Sequence, residues 1–96
     1  AKLLEASGVF SIVLECIESS LAKLVTKKIN IPTIGIGASK YCDGQILVLD
    51  DLIGLNPINV RFVKKYSNIR KEIFKAVLNY SKEVRNKKFP SKKHSY

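Results

Sequence analysis

The sequence predicts an α/β fold in which parallel strands alternate with helices. Two observations carry that expectation. Phe10-Ser11-Ile12-Val13-Leu14 and Thr33-Ile34-Gly35-Ile36-Gly37 are short, nearly continuous apolar runs with β-branched residues and little alternation. Strands covered on both faces read this way. Between them, Leu21, Leu24, Val25 and Ile29 recur at helical spacing, with Lys23, Lys27 and Lys28 elsewhere on the same segment. Strand, helix, strand is the rhythm of a parallel sheet with right-handed crossovers.

The elements follow in order. Lys2-Leu3-Leu4-Glu5-Ala6 reads as the last turn of a helix, closed by Gly8 as a left-handed cap. A chain that opens on Ala1 inside such a pattern is expected to be a fragment or a processed product. The first strand ends at Glu15-Cys16. Ser19 or Ser20 then caps a helix that runs to about Ile29 and closes at Asn30. Pro32 permits a strand start but not a strand centre, so the second strand begins at Thr33.

Ser39 to Gly44 reads as a loop. Gln45-Ile46-Leu47-Val48-Leu49 is apolar again and fits either a third strand or a helix capped by Asp43. β-branching and the preceding Asp-Gly pair favour the strand, although the connection is short for a parallel crossover, which usually takes about a dozen residues. Asp50 to Ile53 reads as a helical turn ended by Gly54. From Arg61 to about Lys88 the pattern is helical, with a break marked near Ser67-Asn68 and a stripe of Ile69, Ile73, Ala76, Val77, Tyr80 and Val84. Lys92 to Tyr96 is a tail. Two such strands cannot close a stable covered sheet, so the segment is expected to need neighbouring strands.

Charge is unevenly placed. The 96 residues carry a formal net charge of +9, and twelve of the 17 Lys and Arg lie in residues 61–96. The functional reading is a surface for nucleic acid or another acidic partner. The plainer reading is a solvated helix face with a lysine-rich tail, and the intact apolar stripe favours it. No apolar run approaches the ~18 residues of a membrane span. No charged start leads into a long apolar core of the signal-peptide kind. Cys16 and Cys42 lie far apart without a CxxC spacing, so neither a disulfide framework nor a zinc site is indicated, and a reduced, cytoplasmic setting is expected.

Glu15 is the candidate catalytic residue. A carboxylate at the C-terminal end of a buried parallel strand stands where βα-barrels carry their chemistry. Desolvation there would favour its protonated form and suit it to general-base work. Its alternative role is to assist the N-terminus of the next helix through the dipole. Gly35-Ile36-Gly37-Ala38 does not complete a GxGxxG pattern, because Lys40 stands at the third glycine. The two glycines instead allow close backbone approach to a neighbour or ligand. Asp43, Asp50 and Asp51 read as turn and helix-start residues rather than metal ligands. His94 reads as a tail residue, and Cys16 is expected on the strand face opposite Glu15.

An ordered set of segments carries a resemblance. Ile12-Val13-Leu14-Glu15-Cys16, Ile31-Pro32-Thr33-Ile34-Gly35-Ile36-Gly37-Ala38, Cys42-Asp43-Gly44-Gln45-Ile46-Leu47-Val48, Phe62-Val63-Lys64-Lys65-Tyr66, and Phe89-Pro90 with His94-Ser95-Tyr96 together resemble the C-terminal part of the ketopantoate hydroxymethyltransferase family. The resemblance implies the C-terminal portion of a (βα)8 (TIM) barrel of the phosphoenolpyruvate-mutase-like kind, incomplete in this chain. Residues 1–60 would then be its last βα units and residues 61–96 its C-terminal basic helices and tail. It implies transfer of a hydroxymethyl unit from 5,10-methylenetetrahydrofolate to 3-methyl-2-oxobutanoate, giving ketopantoate for pantothenate biosynthesis. It places the family's general base on Glu15 and substrate-lining positions on Ile36, Ile46 and Val48. It implies Mg²⁺, with ligands from the first strands of the barrel, so no metal ligand is expected here. It further implies small-molecule substrates, a homo-oligomer at full length, and neither membrane nor nucleic acid. The segment is expected to be inactive alone. A small basic nucleic-acid-binding module and an inactive truncated remnant are the competing readings.

Overall fold

The computed structural model describes residues 1–96. Three parallel strands form one sheet in the order β1-β2-β3, with β1 at Ile12–Glu15, β2 at Thr33–Ile36 and β3 at Gly44–Gln45. The helices are α1 (Lys2–Ala6), α2 (Ser19–Lys28), α3 (Leu49–Leu52) and α4 (Ile69–Arg85), followed by one 3-10 turn at Lys92–His94. Consecutive strands are neighbours, as the βα rhythm of the sequence predicts.

The first strand begins two residues later than the apolar run. Phe10 stays outside it and is 87% exposed. Its burial alternates. Leu14 is buried and packs with Ala22 of α2 and with Cys42, with Ile12 beside them, while Val13 is exposed. The expectation of a strand covered on both faces is therefore met on one face only. Helix α2 covers that face, and the other is open.

The cap of helix α2 falls one residue before the first of the expected ones. Glu18 occupies the capping position, and Ser19 and Ser20 are already helical. Their hydroxyls are used elsewhere: Ser19 donates to Ser39 Oγ, and Ser20 to the Glu18 carboxylate. At the other end the chain turns extended at Ile29, and the Asn30 N–H donates to Glu5 of α1.

The third strand is much shorter than the apolar run from Gln45 to Leu49. Only Gly44 and Gln45 pair with β2, opposite Ile34 and Gly35. This explains how a parallel partner follows so short a connection. Residues 37–43 need only carry the chain back to the level of Ile34, and the hydrogen bonds of Asp43 anchor the return. The Thr33 N–H donates to Asp43 Oδ2 at 2.8 Å, the Thr33 hydroxyl donates to the same oxygen at 3.0 Å, and the Asp43 N–H donates to Thr33 Oγ1 at 3.3 Å. Residues 46–48 then leave the ladder, and Leu49 begins α3.

The expected long helix from Arg61 begins only at Ile69. Asn68 caps it, its side chain accepting from the Lys71 N–H at 3.2 Å. A cap residue drawing a first-turn N–H toward its own side chain ends the run before it, which is why the Ser67-Asn68 break wins over periodicity. No residue of α4 is buried. The whole molecule measures 67 × 28 × 15 Å, with a radius of gyration of 22.3 Å. A compact domain of this length would be near 12–13 Å. The apolar stripe of α4 thus projects away from the sheet, with Ile73, Phe74, Val77 and Tyr80 exposed.

The tail folds back on the end of that helix. Phe89 meets Tyr80 edge-on, ring centroids 5.6 Å apart, and His94 lies 5.3 Å from Phe89 on its other side. Ser91 Oγ stands 2.9 Å from His94 Nδ1. His94 is a tail residue, as expected, but an anchored one. No helix is long and apolar enough to cross a membrane.

Candidate active site

The open face of the sheet collects one row of residues. In a parallel pair, partners in register point to the same side. Glu15 is level with Ile36, and Val13 with Ile34. Thr33 and Gly35 belong to the opposite face: Thr33 Oγ1 lies 2.9 Å from Thr26 Oγ1 of α2, and a Cβ on Gly35 would approach Cys42 Sγ at 3.1 Å. Glu15, Ile34 and Ile36 are therefore on the face that α2 leaves bare. Ile46 continues the row. Its N–H donates to the Gly35 carbonyl at 3.0 Å, which sets it opposite Ile36.

Of the four residues singled out from sequence, three come together: Glu15, Ile36 and Ile46. Val48 does not join them as a strand residue. It sits past the ladder, where it precedes α3 as its capping residue with extended backbone, and it is 54% exposed. Two-residue spacing from Ile46 would have matched the faces only if the strand had continued.

Glu15 is the last residue of β1, and its side chain is exposed without a hydrogen bond or ion pair. The desolvated setting expected for it is not present within these residues. Cys16 explains why the carboxylate ends the strand. Its N–H still bonds the Ile36 carbonyl at 2.9 Å, but its φ is +52°, so the chain turns away at once. A left-handed non-glycine residue is sparsely populated and costs on the order of 1 kcal/mol or more. Cys16 is thus a turning residue, rather than the strand residue of the opposite face that alternation suggested.

Close backbone approach at the second strand end is borne out. Gly37 has φ +60°, and a Cβ there would lie 2.8 Å from Phe62 Cγ. The Phe62 ring lies against bare backbone at the strand terminus. Beside it opens a cleft of about 780 Å³, lined among others by Cys16, Glu18, Ser39, Lys40, Arg61 and Phe62. Lys40, Arg61 and Phe62 were not singled out from sequence. Only the Phe62-Val63-Lys64 segment carried a signal, and that as part of the resemblance.

The acidic residues elsewhere do other work. Hydrogen bonds from Thr33, first its backbone N–H and then its hydroxyl, hold the Asp43 carboxyl below the usual carboxylate range. Asp50 and Asp51 lie in the first turn of α3, where the dipole favours them. No three His, Cys, Asp or Glu side chains come together as a metal-binding group. The divalent cation implied by resemblance therefore finds no ligand set among these residues.

Comparison with known proteins adds identity to this geometry. The family described as ketopantoate hydroxymethyltransferase matches residues 1–92. The chain is similar to the 3-methyl-2-oxobutanoate hydroxymethyltransferase of Pelagibacter ubique, 68% identical over 96 residues, covering 100% of this chain and 37% of that protein. The enzyme of the same name from Clostridium botulinum (strain 657) is 52% identical over 97 residues, covering 100% of this chain and 35% of that protein. The one from Pyrococcus furiosus is 49% identical over 94 residues, covering 98% of this chain and 33% of that protein. The chain thus spans about a third of the length of the curated relatives it matches.

Proposed function

The chain belongs to the ketopantoate hydroxymethyltransferase family, a family of transferases, and from that membership we propose that it supplies the general base and part of the substrate wall of such an enzyme. The three parallel strands take their place as consecutive strands of a (βα)8 barrel whose other strands come from polypeptide beyond these residues. The bare face of the sheet becomes the barrel interior. The C-terminal strand ends become its catalytic mouth.

In this reading Glu15 removes the proton from C3 of 3-methyl-2-oxobutanoate, the carbon next to the keto group. The electron pair of that C–H bond becomes the enolate, and the Glu15 carboxylate becomes the acid. The enolate carbon then bonds to the one-carbon unit carried by 5,10-methylenetetrahydrofolate. Overall, the keto acid, the donor and one water give ketopantoate and free tetrahydrofolate. Ile36 and Ile46 line the branched apolar end of the keto acid. The chain supplies no metal ligand set of its own.

The supporting observation is the single row of Glu15, Ile36 and Ile46 at the strand ends, with an unpaired carboxylate beside two branched apolar side chains. Alone, the segment leaves Glu15 in solvent, so the activity belongs to the complete barrel. Exchange of the C3 hydrogen of 3-methyl-2-oxobutanoate for deuterium, followed by NMR without folate, tests the base. In the full-length enzyme, Glu15→Gln is expected to slow it by about 10²–10⁴-fold, the usual share of a general base. Exchange at the wild-type rate would remove Glu15 from the mechanism.

A further inference from the structure

Residues 57–65 leave the body of the molecule and return to it at nearly the same point. On the way out, the Leu55 and Asn56 N–H groups both donate to the Asp50 carbonyl, at 2.9 and 3.1 Å. On the way back, the Tyr66 N–H donates to the Leu52 carbonyl at 2.8 Å and the Ile69 N–H to the Ile53 carbonyl at 3.0 Å. Both ends are thus clamped to one turn of backbone, the geometry of an Ω-loop. Gly54 permits the clamp, with φ +69° and no Cβ where the returning backbone of Ser67 and Asn68 passes. Between the clamps the loop bonds only locally: the Val63 N–H donates to the Val60 carbonyl at 3.0 Å, and the Ile58 N–H to Asn56 Oδ1 at 3.4 Å. No other hydrogen bond and no ion pair holds residues 57–65, and all of them but Val63 are exposed.

One side chain reaches across. Phe62 rests on Gly37, the residue after Ile36 of the reacting row, so closely that a Cβ there would stand 2.8 Å from its Cγ. A cleft of about 570 Å³ opens beside this contact, lined by Ile46 of the same row together with Phe62, Lys64 and Tyr66 of the loop and its return. Clamped ends, a free middle and one ring seated on bare backbone make a hinged cover with a latch. We propose that residues 57–65 are a lid over the C-terminal strand ends, latched by Phe62 on Gly37, that keeps solvent from the enolate. The inference rests on the proton removal proposed above and gives its product a guard. What the lid controls is a partition. The enolate carbon either bonds to the one-carbon unit or takes a proton back from the Glu15 carboxyl. In heavy water an unguarded carboxyl exchanges with solvent, and the proton it returns is a deuteron. Phe62 is a positioning residue in this scheme, since it acts through the loop and not on the reacting atoms.

The test uses the full-length enzyme and two readouts. Brief digestion with trypsin reports opening of the loop, which carries Arg61, Lys64 and Lys65. Phe62→Ala should speed cleavage at these residues about tenfold, the rise in open population that a lost contact of about 1.4 kcal/mol brings. Cleavage after Lys87 and Lys88 is the internal reference and should not change. The second readout is the ratio of C3-deuterated keto acid to ketopantoate formed in heavy water with the one-carbon donor present. It should rise in Phe62→Ala by a like factor. Phe62→Leu, which keeps an apolar plug, should fall between wild type and alanine in both. If cleavage after Lys87 and Lys88 rises in step, the ring holds the fold as a whole and the proposal is overturned. Faster cleavage of the loop with the partition ratio unchanged also overturns it. A wild type that exchanges no C3 hydrogen without the donor would instead sink the proton removal itself, and the guard with it, while cleavage still reports the latch.

Discussion

One carboxylate oxygen of Asp43 accepts two hydrogen bonds from Thr33, from its N–H at 2.8 Å and from its hydroxyl at 3.0 Å. The contact ties the start of β2 to the residue before β3. It extends inward as well, since Thr33 Oγ1 lies 2.9 Å from Thr26 Oγ1, whose hydroxyl also reaches the Ala22 carbonyl at 2.9 Å. Two hydroxyl protons serve these contacts, so the proton of Thr33 goes to the carboxylate and that of Thr26 is shared. Strand, helix and return loop meet in one polar chain beneath the sheet.

That chain makes stability depend on acid. The bonds from Thr33 favour the ionised carboxyl, so its pKa in the folded state lies below 3.8, the value expected of an unperturbed side chain. The contribution is fully present above that value and is lost as pH falls through the lower, folded-state value. The thermal midpoint should therefore drop more steeply below about pH 4 than in Asp43→Asn, whose profile should lack this component. Parallel profiles for the two proteins would contradict the assignment.

Two glycines separate side-chain crowding from backbone crowding. At Gly37 a Cβ would meet the Phe62 ring at 2.8 Å, and at Gly54 it would run into the Ser67 carbonyl oxygen. Both have positive φ, +60° and +69°. Alanine at either position should cost about 1–3 kcal/mol from crowding and strain. Phe62→Ala should recover part of the loss at Gly37 in a double-mutant cycle, because a ring can be removed. No side-chain change should recover Gly54→Ala. Denaturant unfolding of the full-length protein measures both.

Ile46 and Val48 should part company. Ile46 continues the row opposite Ile36, whereas Val48 lies beyond the ladder. Ile46→Ala removes three carbons from the proposed substrate wall and should raise the KM for 3-methyl-2-oxobutanoate by roughly five- to thirtyfold, at about 0.8 kcal/mol per lost carbon with partial relaxation. Val48→Ala should have the smaller effect. A larger effect at Val48 would return it to the wall.

Asn68 sets where α4 begins. Asn68→Ala removes the acceptor of the Lys71 N–H and should cost about 0.5–2 kcal/mol of helix stability. In a peptide spanning residues 66–88 this should appear as lower helicity by circular dichroism. Asn68→Ser should restore most of it. Unchanged helicity in the alanine peptide would show that the cap is idle.

Much of this molecule was legible in its residues. The strand-helix-strand rhythm, the left-handed turn at Gly8, the short turn before Gly54, the close approaches at Gly35 and Gly37 and the position of Glu15 at a strand end all follow from local sequence. Each depends on periodicity over a few positions or on a backbone conformation that glycine adopts without strain. What the residues could not set is how far each pattern runs. Gln45 to Leu49 are apolar and β-branched enough for five residues of strand, yet the ladder stops after Gln45 and Val48 is turned out of it. Arg61 to Asn68 share the spacing of α4 but are held elsewhere, Phe62 over Gly37 and the Tyr66 N–H on the Leu52 carbonyl. Burial was the other decision of the tertiary structure. Apolar composition at Val13 and along α4 is the same whether the surface is covered or bare, and coverage depends on which neighbours arrive. Local chemistry fixes the conformation a segment prefers. Only contacts between segments distant in sequence decide where it ends and which face sees water.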